Sequence, residues 1–188
     1  GSGQVVKGVH YIAMLSVHDT SDVIFDGIIL RRNKVFDDAM HIIYSKNIKL
    51  KNSRIQNAYS DGLDIDISRV DISRTTVTES GNDAVDLMSS RVTINQSRLI
   101  GSGDKGVSVG EASTVVVVNS LLKDNEIGLE SKDGSDAYII NTDMLNNKTQ
   151  INAYKKNWRY GQGGRVDVNK VFMLGDRNVI KADKHSRI

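Results

Sequence analysis

The chain has 188 residues, enough for one domain with a sizeable core. It contains no cysteine and no proline, which excludes a disulfide framework and thiol chemistry. Its 25 basic and 23 acidic residues leave a net charge of +2, too balanced to suggest a nucleic-acid partner, and no apolar run approaches the ~18–20 residues of a membrane span.

Gly1-Ser2-Gly3 reads as a cloning remnant, and no signal peptide is visible. Residues 4–188 are expected to form a single domain taken from a longer protein whose other domains would be its neighbours. Along the chain, alternating apolar and polar runs recur at Val23-Ile24-Phe25, Ile48-Lys49-Leu50, Val70-Asp71-Ile72, Val92-Thr93-Ile94, Val115-Val116-Val117, Ala137-Tyr138-Ile139 and Val166-Asp167-Val168. The steps between them are 25, 22, 22, 23, 22 and 29 residues. Each run leads to a second apolar residue beside Ser or Thr: Ile55, Val77, Leu99 and Leu122. After a polar turn comes another short run: Met40-His41-Ile42, Leu63-Asp64-Ile65, Val85-Asp86-Leu87, Val107-Ser108-Val109, Leu129-Glu130-Ser131 and Ile151-Asn152-Ala153.

Strict alternation has period two and predicts strands with one buried face, while helical spacing is absent. A ~22-residue repeat of short strands predicts an all-β, right-handed parallel β-helix of about seven coils. A leucine-rich repeat would share the period, but its Leu-x-x-Leu-x-Leu pattern is missing. The 29-residue step holds a turn expanded into a loop, Ala153 to Gly164, carrying Tyr154, Trp158 and Tyr160. The basic runs Arg31-Arg32-Asn33-Lys34 and Lys155-Lys156-Asn157-Trp158-Arg159 read as solvated turns.

Stacking in register turns sequence phase into columns. The outward residues of the short runs read His41, Asp64, Asp86, Ser108, Glu130, Asn152, and two residues on Ile43, Asp66, Met88, Gly110, Lys132, Tyr154. The preceding turn contributes Asp38, Asp61, Asp83 and Lys105, with Asn82 and Asp104 beside them. Aspartate suits turns for backbone reasons, but Asp64 and Asp86 are on strands, where it is disfavoured. Stacked carboxylates repel, so a cation, a shared proton or solvent must hold them. Ca²⁺ takes six to eight oxygens, and Asp61, Asn82, Asp83 and Asp86 offer up to four side-chain ligands. Zinc is not expected at that set, because there is no Cys and only His41 approaches it. His10, His18 and His185 have no partners in the pattern.

These residues carry a resemblance. Residues 20 to 180 or so are similar to the right-handed parallel β-helix repeats of the pectate-lyase-like superfamily. "SDGLD" (60–64) and "GNDAVDL" (81–87) resemble the two calcium-binding segments of family nine polysaccharide lyases. The resemblance implies calcium ligation by Asp61, Asn82, Asp83 and Asp86, with Asn82 in place of an aspartate. The family's catalytic lysine strand corresponds to "KGVSVG" (105–110), which has Ser108 at the lysine position and Lys105 three residues earlier. Tyr-Ser-Asp (59–61), Asn-Asp (82–83) and Asp-Lys-Gly (104–106) also resemble polygalacturonase segments, without the histidine. "GDKGVSVGE" (103–111) looks like repeats of bacterial surface β-helix modules.

Three functions follow as expectations. The first is a calcium-assisted lyase acting by β-elimination on a uronate-containing polysaccharide, with Lys105 or Lys132 as base and Asp64 and Asp86 beside it. The second is a glycoside hydrolase using Asp64 and Asp86 as its carboxyl pair. The third is a non-catalytic module that binds glycan or spaces other domains, with loop aromatics stacking on sugar rings. His41, Asp66, Ser108, Glu130, Tyr154 and Trp158 are the expected substrate contacts. An acidic polysaccharide as partner implies a secreted or cell-surface protein, bacterial by resemblance.

Overall fold

A pleated chain sends successive side chains to opposite faces, so each alternating run can bury its Ile, Val and Leu and leave its polar residues outside. In the computed structural model, which describes residues 4–6, 9–175 and 179–188, each run pairs in parallel with the run one coil away. Residues 1–3, the expected remnant, lie outside the described residues.

Three sheets result. Sheet 1 has eight strands: Leu15–His18, Met40–Ile43, Leu63–Asp66, Val85–Met88, Lys105–Gly110, Ile127–Lys132, Thr149–Tyr154 and Ile180–Ala182. Sheet 2 has seven, from Ile24–Asp26 to Arg165–Asn169, and sheet 3 has seven, from Ile29–Arg31 to Phe172–Leu174. The expected solenoid of about seven coils is therefore the fold. Sheet 1 runs one strand further at each end than the pattern suggested, because Leu15–His18 and Ile180–Ala182 are too short to declare a period alone. A separate antiparallel pair, Gln4–Val6 with Val9–Tyr11, was not expected.

The core is a set of stacked apolar columns. In sheet 2, Ile48, Val70, Val92, Val115, Ala137 and Val166 follow one another in register, all buried. Leu63, Val85, Val107, Leu129 and Ile151 do the same in sheet 1. Each fully buried Val, Leu or Ile contributes about 1.5–3 kcal/mol by leaving water.

Corners bend through residues at positive φ, such as Ile67 (46°), Arg74 (47°) and Glu79 (55°). Serines close the backbone between coils. The Ser45 N–H donates to Ser68 Oγ (2.9 Å), Ser68 to Ser90 (3.0 Å), Ser90 to Ser113 (3.0 Å) and Ser113 to Ser135 (3.1 Å).

Candidate functional site

Sheet 1 places the expected residues on its outward face, with the register read from the sequence. His41 pairs with Asp64, Asp64 with Asp86, Asp86 with Ser108, Ser108 with Glu130 and Glu130 with Asn152. The turn before the sheet adds a second ladder that explains its aspartates. Asp38 Oδ1 accepts the Asp61 N–H at 3.3 Å, Asp61 Oδ1 the Asp83 N–H at 2.8 Å, and Asp83 Oδ1 the Lys105 N–H at 2.9 Å. These carboxylates are buried because each satisfies a backbone donor of the following coil.

Calcium at Asp61, Asn82, Asp83 and Asp86 meets an obstacle in this ladder. Asp61 Oδ1 also accepts the Asn82 amide at 2.9 Å, so Asn82 presents a donor to Asp61. Asp86 Oδ1 accepts the Leu87 N–H at 3.0 Å. One oxygen of each aspartate is thus committed to an N–H, and the set as it stands does not make the six-to-eight-oxygen shell of calcium.

The stripe divides into three clusters. At its N-terminal end His41 Nε2 lies 3.1 Å from Asp66 Oδ2 and 3.6 Å from Asp64 Oδ2. Burial lifts Asp64 to about 8, with Asp66 adding repulsion. Burial pulls His41 down, but Asp66, Asp64 and Asp38 outweigh it and hold the imidazole above its ordinary value. His18, without a partner in the repeat pattern, stands edge-on to His41 at 5.5 Å and against Tyr11 at 4.6 Å. A four-residue strand with no preceding repeat left no phase by which to place it.

In the middle cluster, Lys105 Nζ bonds Asp104 and lies 3.6 Å from Asp83 Oδ1 and 3.9 Å from Glu130 Oε1. Burial pulls this ammonium down, and the three carboxylates outweigh it, so Lys105 stays protonated well above neutral pH. Asp83, only 2% exposed, is lifted to about 7 by burial against the pull of Lys105.

The third cluster centres on Glu130. Lys132 Nζ donates to Ser108 Oγ at 2.7 Å and lies 3.9 Å from Glu130 Oε1, while the Asn152 amide donates to Glu130 Oε2 at 2.9 Å. Burial and the Glu130 carboxylate push the Tyr154 hydroxyl up to about 12. Beyond Tyr154 the expanded loop folds back over the stack. Its base is clamped by Asp133 Oδ1, which accepts the Lys156 and Asn157 N–H groups at 2.7 Å each. Trp158 projects from it, 83% exposed, with the Arg159 guanidinium 5.9 Å from its ring centre. A cavity of about 870 Å³ opens elsewhere, beside Glu126, Lys148 and Lys181, and holds none of the expected residues.

A family described as "Right handed beta helix region" matches residues 13–172. The chain belongs to the right-handed β-helix family. No curated protein sequence matches it. Among solved structures, this β-helix is similar to a pectate lyase from Paenibacillus sp. 0602, at 7% identity and TM-score 0.59, over 86% of the chain and 63% of that enzyme. It is also similar to an alginate lyase from Paenibacillus sp. str. FPU-7, at 10% identity and TM-score 0.52, over 85% of the chain and 80% of that enzyme. The β-helix thus spans 63% of the length of the pectate lyase, and at these identities the likeness is one of fold. No helix among the described residues is long and apolar enough to cross a membrane.

Proposed function

We propose that this β-helix binds an acidic polysaccharide along the C-terminal half of the sheet 1 face. Trp158 carries this reading. A large ring held 83% in water, on a loop whose base is hydrogen-bonded in place, offers its face as a platform for a ligand. Sugar rings have apolar faces that suit such a platform. Arg159 over the ring, with Lys155 and Lys156 on the same loop, supplies charge for a uronate carboxylate. Behind half-buried Tyr154, the buried Glu130 and Ser108 lead along the same face toward Lys105 and Lys132. Such polymers lie outside the cytoplasm, so the reading places the protein at the cell surface or beyond.

A second reading, uronate β-elimination, is favoured by the cluster of half-buried Lys105 and Tyr154 with buried Glu130 and Lys132. Ionisable side chains gathered under an outward face recur at catalytic sites as well as in structural ion-pair networks. Lys105 is held protonated, which suits it to neutralise a substrate carboxylate and opposes a role as base. The hydrolase reading gains less, since Asp64 and Asp86 are neighbours in any stacked register.

Calorimetric titration with polygalacturonate, alginate and a neutral glucan tests the first reading. Binding to the acidic polymers and a loss of roughly tenfold or more in Trp158→Ala are expected. Equal binding by Trp158→Ala, or preference for the neutral glucan, overturns it. A rise in ultraviolet absorbance from an unsaturated product would establish elimination.

A further inference from the structure

The N-terminal end of the stripe lies outside the glycan-binding surface proposed above. We infer that His41, Asp64 and Asp66 form a binding site for a divalent first-row transition metal of the Zn²⁺ class. Among the described residues this is the group of three such side chains whose ligand atoms all lie within 4.8 Å of one another. Its internal distances have the right scale. Ligands ~2.0–2.1 Å from a tetrahedral metal stand about 3.3 Å apart, and His41 Nε2 lies 3.1 Å from Asp66 Oδ2 and 3.6 Å from Asp64 Oδ2. Asp64 and Asp66 alternate with buried Leu63 and Ile65 on one strand, and His41 occupies the neighbouring strand opposite Asp64. Two adjacent strands of a rigid sheet thus hold three donors on one face.

A second observation is the set of unsatisfied polar atoms around the cluster. His41 is 6% exposed, yet its Nδ1 has no hydrogen-bond partner. Ser16 Oγ, in register with His41 one coil away, and His18 Nε2 are likewise buried and unpartnered. Buried polar atoms rarely go unsatisfied, and here three meet beside one cluster. A metal on Nε2 fixes the tautomer with the proton on Nδ1, the nitrogen that in metal-bound histidines donates to a neighbouring acceptor or water. The His18 ring stands edge-on to His41, centroid to centroid at 5.5 Å.

The donor chemistry sets the metal class. One imidazole with two carboxylates suits Zn²⁺ or Mn²⁺, whereas Ca²⁺ and Mg²⁺ select all-oxygen shells. Three protein ligands leave a fourth position for water or a ligand oxygen, the open form of such sites.

The test is titration of the whole chain with ZnCl₂ after dialysis against a chelator, read by calorimetry, metal analysis and melting temperature. One Zn²⁺ per chain with a raised melting temperature is expected. His41→Ala and the isosteric Asp66→Asn should each weaken binding tenfold or more and lose the thermal shift. Trp158→Ala should bind Zn²⁺ as the parent does, so this proposal and the glycan reading fail separately. No Zn²⁺ bound, or unchanged binding in folded Asp66→Asn, overturns the site. Tighter binding of Ca²⁺ than Zn²⁺ overturns its class.

Discussion

Asp38 shows what one carboxylate does in this fold. Its Oδ1 accepts the Asp61 N–H, which a neutral amide oxygen could accept equally well, so the charge is not needed for the bond. Burial lifts the group from 3.8 to about 7, with Asp61 and Asp37 adding repulsion. The folded state therefore holds this proton more tightly than the unfolded chain does. Its contribution is most favourable below the unfolded pKa and is lost as pH rises through about 7. Asp38→Asn should leave stability near pH 4 almost unchanged and raise it at pH 8, on the order of 2 kcal/mol. Denaturant unfolding at both pH values checks this, and an equal effect at both would show that Asp38 is ionised without strain. The phase of Asp38, Asp61 and Asp83 was legible in the sequence. Their burial was not, because the donors they satisfy are backbone groups one coil away that no side-chain pattern reveals.

Whole strands and corners obey different rules of legibility. The alternation that buries Ile48, Val70 and Val92 is a property of side chains and was plain from residue order. Corner geometry is a backbone property: Ile67, Arg74 and Glu79 adopt positive φ with no Gly or Asn to announce it. At Ile67 this is costly, since a β-branched residue in the left-handed region is strained, and the side chain is 45% exposed and returns little by burial. Ile67→Asn should therefore stabilise the protein by about 1 kcal/mol, seen as a higher melting temperature, because Asn tolerates that region. Lower stability would mean that Ile67 packs better than its exposure suggests. One residue past the equivalent corner of the next coil, the Ser ladder makes the opposite case. Ser90 Oγ accepts the buried Ser68 N–H and donates to Met88 O at 2.9 Å. Ser90→Ala leaves that N–H unsatisfied and should cost about 1–3 kcal/mol by the same measurement. A neutral effect would mean that water reaches the corner.

At the scale of the molecule, the solenoid lends its rigidity to the site unevenly. Every inner coil is sandwiched between two others, and its inward-facing apolar residues are buried from Met40 through Ile151. The outermost strands have a neighbour on one side only, and Ile24, Ile29, Phe172 and Leu174 remain exposed. Stability in a stacked array is close to a sum of coil and interface terms, so coils with one interface open first. Amide hydrogen exchange should then be slowest in Leu63–Asp66, Arg69–Ser73, Val85–Met88 and Arg91–Asn95, and faster in Ile24–Asp26 and Phe172–Leu174. Equal protection along the chain would instead show that the stack unfolds as one unit. The gradient has a functional consequence. Asp64, Asp66, Asp83 and Asp86 belong to those inner coils, where carboxylates can be held close without the backbone yielding to their repulsion. Trp158 lies toward the faster end, on a loop that can adjust to a ligand while Asp133 keeps its base in place.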